Sequence, residues 1–168
     1  MLKKPVEDIL NLQIEKEGYS SSLYLSMAAW AGFNGFNGVA KWLFAQAEEE
    51  RMHMLKFIGY IAERSSKPVI PQIKQPPAEF TGVKELFEAV LDHEEYITAS
   101  INDIVAKTID EKDYNTHSFI QWFVNEQIEE EATVHEILDK LKLVGDQNMY
   151  IFDRDVPGMR GGNKAADA

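Results

Sequence analysis

Four stretches of the chain repeat apolar residues at steps of three and four, the spacing of one buried helical face. The first, residues 5 to about 33, reads Val6, Leu10, Gln13, Glu17, Ser21, Tyr24, Ala28, Ala31, and Pro5 suits its first turn. The second, about 38 to 65, reads Val39, Leu43, Ala47, Glu50, Met54, Phe57, Ile58, Ile61. The third, about 83 to 110, reads Val83, Phe87, Val90, Glu94, Ile97, Ile101, Ile104. The fourth, about 114 to 144, reads Ile120, Phe123, Gln127, Glu130, Val134, Ile137, Leu141. Each pattern persists over several turns and predicts an amphipathic helix. Asn37, Thr81 and Asp113 are the expected N-caps of the last three, and Gly145 ends the fourth.

The connections differ in kind. Gly32-Phe33-Asn34-Gly35-Phe36-Asn37-Gly38 is a short break. Residues 66–82 carry Pro68, Pro71, Pro76 and Pro77, which keep the segment extended. An extended run of that length spans at most about 55 Å, and a helix of 28 residues is about 42 Å long. The segment is therefore long enough to run the full height of a bundle. A short, a long and a short connection between four long helices predict an all-α four-helix bundle with one crossover.

Each apolar face is interrupted near its midpoint by one carboxylate: Glu17, Glu50, Glu94 and Glu130. In a bundle of equal-length helices the midpoints share one level whichever way each helix runs. Four carboxylates should therefore converge in the core, with His53 and Gln127 one turn away and Tyr24 two turns from Glu17 on the same side. A single such residue is ordinarily a snorkelling or locally paired side chain. Four at one level repel each other and each carries a desolvation penalty of several kcal/mol. Two divalent cations bridged by these side chains remove both problems. Carboxylate oxygen with imidazole and no sulfur favours iron or manganese by type, with zinc still compatible.

Composition changes this picture only in part. The 168 residues make one domain by size, and 28 Asp plus Glu against 17 Lys plus Arg leave a formal net charge of −11. That argues against unassisted binding to nucleic acid or anionic membranes and fits a protein that handles cations. The absence of cysteine excludes disulfides, thiolate metal sites and thiol nucleophiles. The amino terminus leads straight into an amphipathic pattern and no run of about 18 apolar residues occurs, so the expected location is cytoplasmic. His93, His117 and His135 read as isolated surface or partly buried residues, and Trp42, Trp122, Phe119 and Phe123 as packing groups. There is no phosphate-binding glycine loop and no credible Ser-His-Asp arrangement.

The pattern resembles the ferritins, and among them the bacterial non-haem type, over residues 1 to about 150. The specific pieces are Glu17-Gly18-Tyr19-Ser20-Ser21-Ser22-Leu23-Tyr24, Glu49-Glu50-Arg51-Met52-His53-Met54, His93-Glu94 and Gln121 to Glu131. The resemblance implies a ferroxidase centre in which Glu17, Glu50 and His53 hold one iron and Glu50, Glu94 and Glu130 the other, with Glu50 bridging. It implies that Gln127 orients oxygen or water, that Tyr24 donates electrons, and that Glu49, Glu126, Glu129 and Glu130 form a third iron site. Fe(II) would be oxidised by O2 or H2O2 and stored as Fe(III) oxyhydroxide mineral inside a homo-oligomeric shell of 24 subunits. No haem is expected, because Arg51 stands where bacterioferritin has its haem-ligand methionine; Gln127-x-x-Glu130 likewise replaces that group's second Glu-x-x-His. The resemblance divides the chain into a ferritin-like domain, 1–145, and a tail, 146–168. Residues 147–155 would form a short fifth helix, followed by an irregular end containing Pro157, Gly158, Gly161 and Gly162. A di-iron oxygenase that retains its metal is the first rival, but the small size and the extra acids Glu49, Glu126 and Glu129 count against it. A metal-free cytokine-type bundle is the second, and the four mid-level carboxylates contradict it.

Overall fold

The computed structural model describes residues 1–160; of the irregular end expected from Pro157 onward, Pro157 and Gly158 lie in a 3-10 turn, Val156–Gly158, and the part from Gly161 lies outside the described residues. Helix α1 spans Lys4–Phe33, α2 Asn37–Glu63, α3 Val83–Asp110 and α4 Tyr114–Val144, within two residues of the predicted bounds. Helix α1 packs along α2 and α3 along α4. A short 3-10 turn at Asp146–Asn148 leads into α5, Met149–Asp155, where the predicted fifth helix lies. Among the described residues no helix is long and apolar enough to cross a membrane.

The proline-rich segment between α2 and α3 is the expected crossover, and its course follows α1. Ser66 Oγ accepts from the Leu2 N–H at 3.2 Å, and Asn11 Oδ1 accepts from the Val69 N–H at 2.7 Å. Ile73 lies over Gly18, and Ser26 Oγ donates to the Pro77 carbonyl at 2.6 Å. Successive crossover residues thus meet successive turns of α1, and polar side chains of α1 satisfy backbone groups that have no ladder of their own.

Capping differs from expectation at two helices. Asp113 caps α4 as predicted, accepting from the Thr116 N–H at 3.1 Å, and Gly145 closes α4 with φ 64°. Thr81 does not cap α3; Gly82 holds that position with extended backbone and no side-chain cap. Asn37 is itself the first residue of α2, and the cap comes from far along the chain. Asp153 Oδ1 on α5 accepts from the Val39 N–H at 2.9 Å. A carboxylate there satisfies an orphan donor and complements the helix dipole. Gly38 makes the approach possible, since a Cβ at that position would lie 1.6 Å from the Asp153 carbonyl oxygen.

The core is split in two. One apolar cluster gathers Leu23 to Ala31, Val39 to Ala47, Val83 to Val90 and Val134 to Leu141, with Phe152 and Val156 from the tail. The other gathers Leu2 to Ile14, Phe57, Ile61, Ile97 to Ile104, Ile120 and Phe123. Each draws on all four long helices. Between them lies a layer of buried polar residues that includes Gln13, Glu17, Ser20, Gln46, Glu50, His53, Glu94, Gln127 and Glu130.

Candidate metal centre

The helical faces deliver the predicted carboxylates as expected. Glu17, Glu50, Glu94 and Glu130 are each no more than 2% exposed, and Gln127 and His53 are 4% exposed. Tyr24 is fully buried. On the predicted faces, Met54 and Ile58 are only half-buried, and Ser20 takes the buried place expected of Ser21.

Among the described residues, two groups of side chains converge closely enough to hold a cation. Glu17, Glu50 and His53 bring one ligand atom each within 4.8 Å of one another, and so do Glu49, His53, Glu126 and Glu130. His53 belongs to both. Its Nδ1 lies 3.5 Å from Glu50 Oε2, and its ring stands edge-on to Trp122 and Phe123 at centroid distances of 5.5 and 5.7 Å. Glu49 and Glu126 are half-buried, whereas Glu129 is exposed and joins neither group. Glu94 stands slightly apart, accepting from the Tyr24 hydroxyl and from Gln127 Nε2 at 3.1 Å.

Amide side chains hold the carboxylates in register. Gln13 Nε2 donates to Glu17 Oε1 at 2.8 Å. Gln46 Nε2 donates to Glu130 Oε2 at 2.7 Å and to Glu50 Oε1 at 3.3 Å, tying α2 to α4. Gln46 is absent from the sequence prediction, although its signal was present: it lies four residues before Glu50, as Gln13 lies four before Glu17. His93, expected to be isolated, is half-buried; its Nε2 meets Ser20 Oγ at 2.8 Å and its ring lies edge-on to Tyr24. Burial lowers its pKa to about 4.

The electrostatics are those of a site short of positive charge. Burial, then the charge of Glu50, pushes the Glu17 carboxyl up to about 8, against the pull of His53 and Gln13. Glu50 is driven well above the carboxylate range by burial and by Glu94 and Glu130. Glu94 is raised by burial, although Tyr24 and Gln127 oppose the shift. Burial and then Glu94 also raise Tyr24. Glu17 Oε2 has no hydrogen-bond partner, an exception for a fully buried carboxylate oxygen. Oxygen and imidazole donors brought together in a buried layer suit a hard or borderline divalent cation. Beside this layer a cavity of about 210 Å³ opens between α3 and α4, lined by Thr98, Ile101, Val124, Gln127 and Glu131 among others.

Comparison with known proteins agrees with this geometry. Residues 7–144 match the family model described as a ferritin-like domain. A probable bacterial non-heme ferritin-like protein of Haemophilus influenzae is 44% identical over 158 residues, covering 93% of this chain and 96% of its own. A bacterial non-heme ferritin of Campylobacter jejuni is 43% identical over 156 residues, covering 92% and 93%. Among solved structures, an open-pore ferritin from Archaeoglobus fulgidus superposes with a TM-score of 0.91 at 35% identity, over 93% of this chain and 96% of that one. Helix order, crossover and the buried carboxylate layer thus accompany likeness along nearly the whole length, and the chain belongs to the ferritin family.

Proposed function

We propose that this protein stores and detoxifies iron by oxidising Fe(II) at an intrasubunit paired site and passing Fe(III) into a mineral core. The observation that carries the reading is the fully buried Glu17 with an unpartnered Oε2, set against the Glu50 carboxylate and the His53 imidazole. Iron is the substrate here. Glu17, Glu50 and His53 bind one Fe(II), and Glu50, Glu94 and Glu130 bind the second, so that Glu50 bridges. Carboxylates suit the task because they stay charged, bridge two metals and change denticity as iron moves from Fe(II) to Fe(III).

Each Fe(II) gives up one electron. Two of them reduce O2 to H2O2 with uptake of two protons, or reduce H2O2 to two waters with the same uptake. Gln127 orients the oxidant or water beside Glu94, and Tyr24, bonded to Glu94, supplies an electron when the irons cannot. Glu49, Glu126 and Glu130, with His53 at the shared edge, receive a third iron on its way out, and the exposed Glu129 completes that set once metal is present. The relatives' names support a non-haem ferritin; a cytoplasmic location and assembly as a shell of 24 subunits around the mineral belong to the same proposed reading.

The cavity beside Gln127 supports one alternative, a di-iron oxygenase that keeps its metal and admits an organic molecule. Anaerobic Fe(II) titration of metal-free protein, followed by air, separates the two. Iron storage requires two or three irons per chain, fast oxidation, and soluble mineral growth far beyond that ratio. Stoichiometric binding without growth would transfer the site to the oxygenase class, and no binding would remove the metal reading.

A further inference from the structure

We infer that Arg160 is a tethered counter-cation for the Glu49, His53, Glu126 and Glu130 cluster, holding Glu49 while the third iron is absent and yielding it when iron arrives. The inference rests on the proposed reading of that cluster as an iron site. Arg160 Nη2 donates to Glu49 Oε2 at 2.6 Å, and the two side chains are only 23% and 16% exposed. This is a charge-assisted bond largely shielded from solvent, stronger than an ordinary surface pair.

What places Arg160 there is the docked tail, not the local sequence. Phe152 and Val156 are buried in the apolar cluster that contains Leu23 and Val134, and Asp153 caps α2 at Val39 against Gly38. The Met159 carbonyl accepts from Trp42 Nε1 at 3.1 Å, which fixes the residue immediately before Arg160. These attachments fall at residues 38–39, 42 and 49 of α2, in order along the helix toward the metal layer. The backbone is thus anchored just before Arg160, and the arginine's planar fork loses less freedom per hydrogen bond than a flexible ammonium would.

The pairing opposes metal binding. A carboxylate whose charge is already shared with a guanidinium at 2.6 Å has less of it to offer a divalent ion. Arg160 and iron therefore compete for Glu49. The competition weakens the outer site relative to the paired one, which is the ordering a transit site needs if oxidised iron is to leave. Arg160 acts through Glu49 and is a positioning residue.

Anaerobic isothermal titration of Fe(II) into the assembled metal-free protein tests this with Arg160→Gln and Arg160→Lys. Arg160→Gln should bind the third iron about tenfold more tightly, with the first two affinities and the assembly size unchanged. Arg160→Lys, which retains the charge on the same anchored segment, should stay near the wild-type value. A third affinity unchanged or weakened in Arg160→Gln would overturn the inference, as would Arg160→Lys behaving like Arg160→Gln. If wild type and Arg160→Gln both bind two irons and no third, the counter-cation role falls while the paired site stands. If neither binds iron, the proposed function falls with it.

Discussion

Replacing Glu17 by Gln should make the metal-free protein more stable and less able to bind iron. The reason lies in the proton balance of one buried carboxyl. Glu17 moves from an ordinary 4.5 when exposed to about 8 in the fold, chiefly through burial. Between those values the folded chain holds a proton that the unfolded chain releases, so this group's contribution to stability is full below 4.5 and is lost as pH rises toward 8. At pH 7 the accumulated loss is roughly 3 kcal/mol per subunit, against less than about 1 at pH 5. Gln carries no charge at any pH. Its carbonyl keeps the Gln13 hydrogen bond, and its amide group takes the place of the unpartnered Oε2 and faces Glu50. A gain of 3 kcal/mol corresponds to a Tm higher by roughly 6–12 °C in a domain of this size. The assay is thermal unfolding of chelator-treated wild type and Glu17→Gln from pH 5 to 8, with anaerobic Fe(II) titration at pH 7. The variant should show a flatter pH profile, a higher Tm at pH 7, and one tight iron fewer. Parallel profiles, or a variant less stable at pH 7, would refute the idea that Glu17 is held uncompensated for a cation.

Gln46→Leu removes the bond that ties Glu130 to α2, and should weaken paired-iron binding about tenfold or more while leaving the helices intact by circular dichroism. Tyr24→Phe should slow Fe(II) oxidation in stopped-flow absorbance without changing iron stoichiometry, and should cost about 1–2 kcal/mol of stability through the lost bond to Glu94. Gly38→Ala drives a Cβ into the Asp153 carbonyl, so α5 should detach at a cost of about 1–3 kcal/mol, with faster proteolysis near Arg154 as the readout.

The four long helices and the level of the carboxylates were legible because both depend on periodicity within a single element. Glu94 and Glu130 stand out on faces whose neighbours are Val90, Ile97, Phe123 and Val134, and nothing beyond the helical repeat is needed to see it. Gln46 was within reach by the same logic, through its spacing to Glu50. The caps were less legible. Asn37 and Thr81 are good capping residue types, yet the cap of α2 comes from Asp153, more than a hundred residues away. Arg160 could not be read at all, because its position depends on a tail with no repeat, fixed by Phe152, Val156 and Met159 against α2. Likewise Glu126 and Glu129 both look like solvated acids in the sequence, and the rotation of α4 exposes one and turns the other partly inward.

The divided core has a further consequence for how iron can come and go. Many small metalloproteins fold only when loaded, since their ligands are also their core. Here each apolar half already joins all four helices above or below the carboxylates, so the frame closes without metal. The polar waist is then the least costly part of the bundle to loosen. A cation binding there tightens a frame that already exists, and its departure leaves that frame standing. Such a bundle can load and unload the same site many times over one folded lifetime.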